Sequence, residues 1–257
     1  MYGISSLTCV PLRALPDGKS EMVSMLLFGE TYAIKEEKDG WYHIIATNDQ
    51  YECWINSNQH TALSEADYRE ISQAPEICTV APLTLIRFHD VVMQLMIGST
   101  LPFYHEGSCR INEETWHLTE HTTDGNVHPE TYKIRNSAMK FLNAPYLWGG
   151  RSLFGIDCSG FTQLVFKLSG IHLLRDARQQ ATQGEVLRDL SEARMGDLAF
   201  FSNKSGNISH VGILLEDGKI IHASGRVRID NFDKRGILNL ESGNYSHELT
   251  LIKRIIN

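Results

Sequence analysis

The chain has 257 residues, 42% of them hydrophobic, and a formal net charge of −7. That length holds one large domain or two to three small ones with packed cores, and the acidic balance argues against nucleic-acid or anionic-polymer binding by long-range attraction. No apolar run approaches the roughly 20 residues of a membrane-spanning helix, and five cysteines without C-x-x-C spacing argue against a disulfide framework and a structural zinc site.

Free thiols suit a reducing compartment. The start, Met1 to Leu7, lacks the basic region and long apolar core of a signal peptide. The expected location is therefore cytoplasmic, with periplasmic or secreted as the alternative if a leader is removed. Gly-rich phosphate loops are absent from the sequence, and no cofactor is expected.

Residues 1–60 read as short strands. Ser20 to Phe28, Thr31 to Glu36, Trp41 to Ala46 and Tyr51 to Ile55 are bounded by Pro16-Asp17-Gly18, Gly29, Asp39-Gly40 and Asn48-Asp49. Such spacing indicates a small barrel or sandwich. Residues 61–75 read as a linker with a short helix after Ser64, ending before Pro75. Residues 76–129 again suggest strands: Ile77 to Val80, Thr84 to Phe88, Gln94 to Ile97, Thr100 to His105 and Trp116 to Thr119. The histidines here (His89, His105, His117, His121, His128) are scattered and read as loop or strand residues, so no metal site is expected. From residue 130 onward, Thr131 to Leu142 reads as a helix stopped by Pro145. After a second helix described below, Asp176 to Leu187 reads as a loop with one helical turn. Leu198 to Phe201, 208–215, 219–224, Val227 to Asp230 and Glu248 to Ile256 read as strands.

The chemistry centres on Gly155-Ile156-Asp157-Cys158-Ser159-Gly160-Phe161. Phe161, Leu164, Val165 and Leu168 form the i, i+3, i+4, i+7 stripe of an amphipathic helix, with Asp157 as N-cap and Gly170 at the left-handed C-terminal position. Cys158 then sits in the first turn, where unpaired N–H groups and the helix dipole favour a thiolate. A nucleophilic cysteine needs a base and an orienting group. Two strands joined at Glu216-Asp217-Gly218 carry His210 and His222. A two-residue turn would put the histidines on opposite faces. A three-residue loop with Gly218 left-handed pairs His222 with Gly212, on the face of His210. The three-residue loop is the reading adopted, with His210 as base and His222 orienting it. A helix carrying the cysteine on an antiparallel sheet carrying the histidines is an α+β arrangement.

The motifs Y-L-W-G-G, D-C-S-G-F, G-D-L-A-F-F, H-V-G-I and I-H-A-S-G, in this order, resemble the NlpC-type cysteine peptidases, papain-like hydrolases of bacterial cell-wall peptides. The resemblance covers about residues 132–257 and implies Cys158 as nucleophile, His210 as base and His222 as third member. It also implies that Tyr146 lines the cleft, and that Asp157 and Ser159, beside the nucleophile, contact substrate or cap the helix. Asp39-Gly40-Trp41-Tyr42 with Cys53-Trp54-Ile55 looks like a bacterial SH3-like domain. The fold expected is a papain-like catalytic domain preceded by two small all-β SH3-like barrels.

S-E-M-V-S near 20–24, L-F-G-E at 27–30, Y-x-x-W-I at 51–55 and R-D-A at 175–177 narrow the resemblance to γ-D-glutamyl-diamino-acid endopeptidases. That implies a murein tripeptide or tetrapeptide substrate with a free N-terminal L-Ala, and release of L-Ala-γ-D-Glu in peptide recycling. The resemblance matches Asp176 to the carboxylate that binds the amine and Tyr51 to the tyrosine closing the pocket. Glu21, or alternatively Glu30, is matched to a second carboxylate. A same-fold cysteine amidase or acyltransferase, and a non-catalytic wall-binding protein, are the competing readings.

Overall fold

The computed structural model describes residues 1–119 and 131–256, with the side chains of residues 131 and 132 left aside. His121, His128 and the expected boundary at 129/130 lie outside the described residues. The chain divides into two compact units, Met1–Val127 with Trp148–Leu153, and His128–Leu147 with Phe154–Asn257.

The first unit is almost wholly β. Its strands are β1 (Tyr2–Ile4), β2 (Cys9–Arg13), β3 (Met22–Leu27), β4 (Thr31–Lys38), β5 (Trp41–Ala46), β6 (Glu52–Asn56) and β7 (Thr61–Leu63), in the sheet order β3-β2-β6-β5-β4-β1-β7. Val10, Leu12, Leu26, Tyr32, Ile44 and Ile55 fill its core. Helix α1 (Glu65–Gln73) begins where Ser64 accepts from Asp67 N–H, and it stops before Pro75.

A four-stranded sheet follows: β8 (Leu83–Phe88), β9 (Val91–Met96), β10 (Ser108–Ile111) and β11 (Glu114–Leu118), ordered β10-β11-β8-β9. One apolar cluster joins its Ile86, Leu95, Ile111 and Trp116 to Ile4, Phe28 and Leu63 of the first sheet. Two expected strands differ. Ile77 to Val80 makes only an isolated bridge, Cys78 to Thr100. Thr100 to His105 is broken by Pro102 and by positive φ at Phe103 and Glu106, so the strand starts at Ser108 instead.

In the second unit α2 (Thr131–Met139) ends short of Leu142. After the two-residue strands β12 (Arg151–Ser152, in the first unit) and β13 (Gly155–Ile156), α3 (Cys158–Lys167) is buried along its whole length, and α4 (Ala177–Gln180) is the expected single turn. Gly170 has φ +76 just beyond α3, as its cap position requires.

The sheet is β14 (Glu185–Leu187), β15 (Leu198–Ser202), β16 (Ile208–Leu215), β17 (Lys219–Ser224), β18 (Arg226–Asp233), β19 (Gly236–Leu238) and β20 (Tyr245–Arg254), every pairing antiparallel. Strand β20 pairs with β15 through residues 249–253 and with β19 through residues 245–248. The six strands β15 to β20 therefore close on themselves. Phe201, Leu214, Ile220, Phe232, Ile237 and Ile252 form their core.

Candidate active site

Cys158 is the first residue of α3, and its cap is more than a turn-ender. The Asp157 Oδ1 accepts from Gly160 N–H (2.7 Å) and from Ser159 Oγ (3.2 Å), and both carboxylate oxygens accept from Arg175 (3.0 and 2.5 Å). Arg175 also donates to Ser159 Oγ at 2.9 Å and is itself 1% exposed. Asp157 thus serves as helix cap and ion-pair partner of Arg175, with the Ser159 hydroxyl hydrogen-bonded to both.

The expected thiolate is not what this environment favours. Burial, and then the Asp157 charge, push the Cys158 thiol up to about 12, although Val211 N–H, Arg175 and Ser159 N–H pull the other way. The Val211 contact places the thiol beside the residue that follows His210. Tyr146 lies near enough for its phenol to be raised by burial, by Cys158 and by Asp157.

The hairpin register is the one expected. His222 pairs with Gly212, with Leu215 opposite Lys219 and Gly218 at φ +62. Gly212 leaves the room this needs, because a Cβ there would stand 2.9 Å from the His222 Cβ. His210 Nε2 lies 2.8 Å from His222 Nδ1, and both rings are buried. His222 Nε2 in turn lies 3.0 Å from Asp230 Oδ2.

Asp230 is 0% exposed and also accepts from Leu240 N–H (2.9 Å) and Arg228 Nη2 (3.0 Å). Arg228 Nε stands 2.8 Å from Oδ2 without being aimed along a hydrogen bond. Burial alone would raise the Asp230 carboxyl, but the bonds from His222, Leu240 and Arg228 outweigh it and hold the group well below the usual carboxylate range.

This carboxylate sets the tautomers. It only accepts, so His222 carries its proton on Nε2 and offers a bare Nδ1. His210 then donates from Nε2, which leaves its Nδ1 as the basic nitrogen. Burial, then His222 and His247, hold His210 well below the ordinary histidine value, so the base is neutral. A neutral imidazole and a neutral thiol are the pair that general-base catalysis requires. Cys158 N–H, at the first helical position where no intrahelical acceptor exists, is the candidate oxyanion donor.

His247 also reaches this group. Among the described residues the histidines close enough to share a metal are His210, His222 and His247, with ring nitrogens within 4.8 Å, rather than His89, His105 or His117. Holding an ion would require opening the 2.8 Å His210–His222 bond.

Of the remaining expected residues, Asp176 belongs to the second unit and Tyr51, Glu21 and Glu30 to the first. Asp176 occupies the N-cap position of α4, directly after the buried Arg175. Its N–H donates to Gln179 Oε1 (2.9 Å), and its carboxylate is 3.9 Å from Arg178. In the first unit, Tyr51 lines a small pocket with Ser24, Glu30, Thr47, Asp49 and Arg151. Glu21 accepts from the Trp148 indole at 2.6 Å. Glu30, the alternative to Glu21, is held in a buried bidentate pair with Arg151 (2.9 and 2.9 Å) and accepts from Leu27 N–H. Glu30 thus serves as an internal counter-ion to Arg151.

Asp230, Arg228 and His247 were not foreseen from the sequence, and Arg175 was seen only as part of a motif. The alternation Arg226-Arg228-Asp230 against Val227-Ile229 is the signal that could have found the first two. Nothing local marks His247.

Comparison with known proteins agrees with this architecture. Residues 143–241 match the NlpC/P60 family, and residues 12–59 match the bacterial dipeptidyl-peptidase Sh3 domain. A gamma-D-glutamyl-L-lysine dipeptidyl-peptidase of Bacillus cereus is 24% identical over 231 residues, which are 79% of this chain and 68% of that protein. Dipeptidyl-peptidase 6 of Lysinibacillus sphaericus is 26% identical over 253 residues, 87% of this chain and 89% of that protein. The crystal structure of an NlpC/P60 family protein from Bacillus cereus superposes with a TM-score of 0.84 at 20% identity, covering 100% of both chains, which establishes the shared fold. The chain carries an NlpC/P60 domain at residues 143–241 behind a bacterial dipeptidyl-peptidase Sh3 domain at residues 12–59, and it is a cysteine peptidase.

Proposed function

We propose that this peptidase hydrolyses the γ-D-Glu–diamino acid bond of murein peptides whose N-terminal L-Ala is free, releasing L-Ala-γ-D-Glu, as a recycling enzyme of the cytoplasm. The observation that carries the reading is the co-occurrence, in one chain, of the His210–His222–Asp230 relay and a helix-start cysteine with a dipeptidyl-peptidase type SH3 domain. The name of the Bacillus cereus relative supports the same bond class, and that of the Lysinibacillus sphaericus relative supports a dipeptidyl-peptidase. Among the described residues, no helix is long and apolar enough to cross a membrane.

In the proposed reaction Cys158 Sγ attacks the γ-carbonyl while His210 Nδ1 takes the thiol proton. His210 returns that proton to the leaving amine, and a thioester remains. Water then gives a proton to His210, attacks the thioester and releases the carboxylate, and Cys158 recovers its proton. Tyr146 and Ser159 are the proposed wall of the cleft, while Asp157 acts through Arg175 and the helix cap. Asp176 is the proposed carboxylate for the substrate ammonium. Tyr51 and Glu21 are proposed substrate contacts of the first unit.

The test is mass spectrometry of products from L-Ala-γ-D-Glu-L-Lys and its diaminopimelate counterpart, each free and N-acetylated. Wild type should release L-Ala-γ-D-Glu from the free peptides alone, Cys158→Ala should release none, and Asp176→Ala should lose most activity on the free peptides. Equal cleavage of free and acetylated peptides would overturn the amine-dependent reading.

A further inference from the structure

His247 lies on β20, thirty-seven residues beyond His210 in the chain, yet its ring is stacked on the His210 ring. The centroids are 4.1 Å apart and the planes 22° from parallel. The same ring meets His222 edge-on at 5.8 Å and Phe201 edge-on at 5.9 Å. The Nδ1 of His247 is bonded to Ser246 Oγ at 2.9 Å, which fixes which ring edge turns outward. Phe201 stands 5.8 Å from His210 and His222 stands 5.0 Å from it, edge-on. His210 is therefore boxed: its Nε2 edge is tied to His222, and one face is covered by a ring that lies flat.

An imidazole tied through one nitrogen retains rotation about that bond, and rotation would change the direction of Nδ1. A flat neighbour at 4.1 Å blocks that swing on one side. We propose that His247 is a positioning residue for the catalytic base: its ring plates one face of His210 and fixes the direction of Nδ1. This rests on the reading of His210 as the base.

The electrostatics agree with the geometry. The titratable groups facing His247 are His210 on β16, His222 on β17 and Asp230 on β18; Phe201 on β15 is neutral. Burial and then His222 lower His247 to about 4, with Asp230 opposing, so it is neutral through the working range. Its nearness is also one of the causes that lower His210.

The experiment measures kcat and KM against pH for wild type, His247→Ala, His247→Phe and His210→Ala on L-Ala-γ-D-Glu-L-Lys. His247→Ala should lower kcat roughly 10- to 100-fold, the scale of a misplaced catalytic group, with KM nearly unchanged. His247→Phe keeps a flat ring and should recover most of that kcat. It removes the imidazole, so the acid limb should move to higher pH. A purely structural residue would shift melting temperature and leave the acid limb where it is. The Phe variant keeps the packing, so its pH profile decides even if the Ala variant does not fold. Wild-type kcat and an unmoved acid limb in the His247 variants, with His210→Ala inactive, would overturn this inference and leave the base standing. An active His210→Ala would take down both.

Discussion

Replacing Asp230 by Asn tests the relay at its buried end. The change is nearly isosteric, so what it removes is charge and one acceptor. The carboxylate receives His222 Nε2, Leu240 N–H and Arg228 Nη2, with Arg228 Nε at 2.8 Å as well. An amide offers one oxygen to these donors. If the oxygen stays on Leu240 and Arg228 Nη2, the NH2 faces His222 and Arg228 Nε. Breaking a buried ion pair costs about 3–5 kcal/mol. Glu241 still accepts from Arg228 Nη1 at 2.8 Å, so the lower end, about 3 kcal/mol, is expected. For a unit of this size that is roughly 6–12 °C in melting temperature.

The kinetic effect follows from the tautomers. An NH2 facing His222 Nε2 favours the proton on Nδ1, which then donates to His210 Nε2 and leaves the proton of His210 on the nitrogen that should be bare. General-base catalysis contributes roughly 10²–10⁴-fold, so kcat should fall by about 10² or more. The stability term has a pH signature. The folded carboxyl lies below its unfolded value, so its contribution is fully present above about pH 4 and is lost as pH falls from there toward the folded value. Urea unfolding between pH 3 and 7 should show that acid-side loss in wild type and a weaker one in Asp230→Asn. A variant within threefold of wild-type kcat would refute the tautomer argument.

Four further outcomes are expected. His210→Ala should abolish turnover, whereas His222→Ala should cost one to three decades less, because orientation is lost and the base remains; steady-state kinetics on both variants checks this. Gly212→Ala drives a Cβ against His222 Cβ and the Ile220 side chain, so kcat should fall with a stability loss of about 1–3 kcal/mol, read by kinetics and urea unfolding. Arg175→Ala leaves the buried Asp157 without its counter-ion and should cost about 3–5 kcal/mol in chemical denaturation, with Arg175→Lys recovering only part of it. Alkylation of Cys158 by iodoacetamide should be slow at neutral pH and climb about tenfold per pH unit to pH 10 without a plateau; a plateau at acid pH would show a preformed thiolate.

What the sequence disclosed was local. The Asp157 cap, the stripe from Phe161 to Leu168 and Gly170 lie within 14 residues, and each depends on backbone preferences a short window contains. The hairpin register was equally legible, since Gly218 selects the loop and the loop selects the face of His222. Asp230 and His247 were not legible. They reach the site because β18 pairs with β17 and because β20 closes the strands against both β15 and β19, pairings that no local pattern specifies. The first unit shows the same limit. Leu83–Phe88 alternates visibly, but Thr100 to His105 loses its strand at Pro102 and the positive-φ Phe103, and the pairing of Glu30 with Arg151, 121 residues away, has no local signal.

The state of Cys158 shows how a correct local reading is overruled. The helix start contributes about 0.3–2 kcal/mol toward the anion, at most about 1.5 pH units. Full burial raises a thiol by up to 3–5 units, and Asp157, placed there to cap the same helix, adds its charge in the same direction. The residue that makes the helix start also works against a thiolate and is paired with Arg175, and in the proposed mechanism the proton is removed by a neutral base. His210 is kept neutral by burial and by two flanking imidazoles, and its accepting nitrogen is fixed by a carboxylate two rings away. In the mechanism we propose, reactivity resides in the relay rather than in the cysteine's own position, and the strands carrying Asp230 and His247 matter to it as much as the helix carrying Cys158.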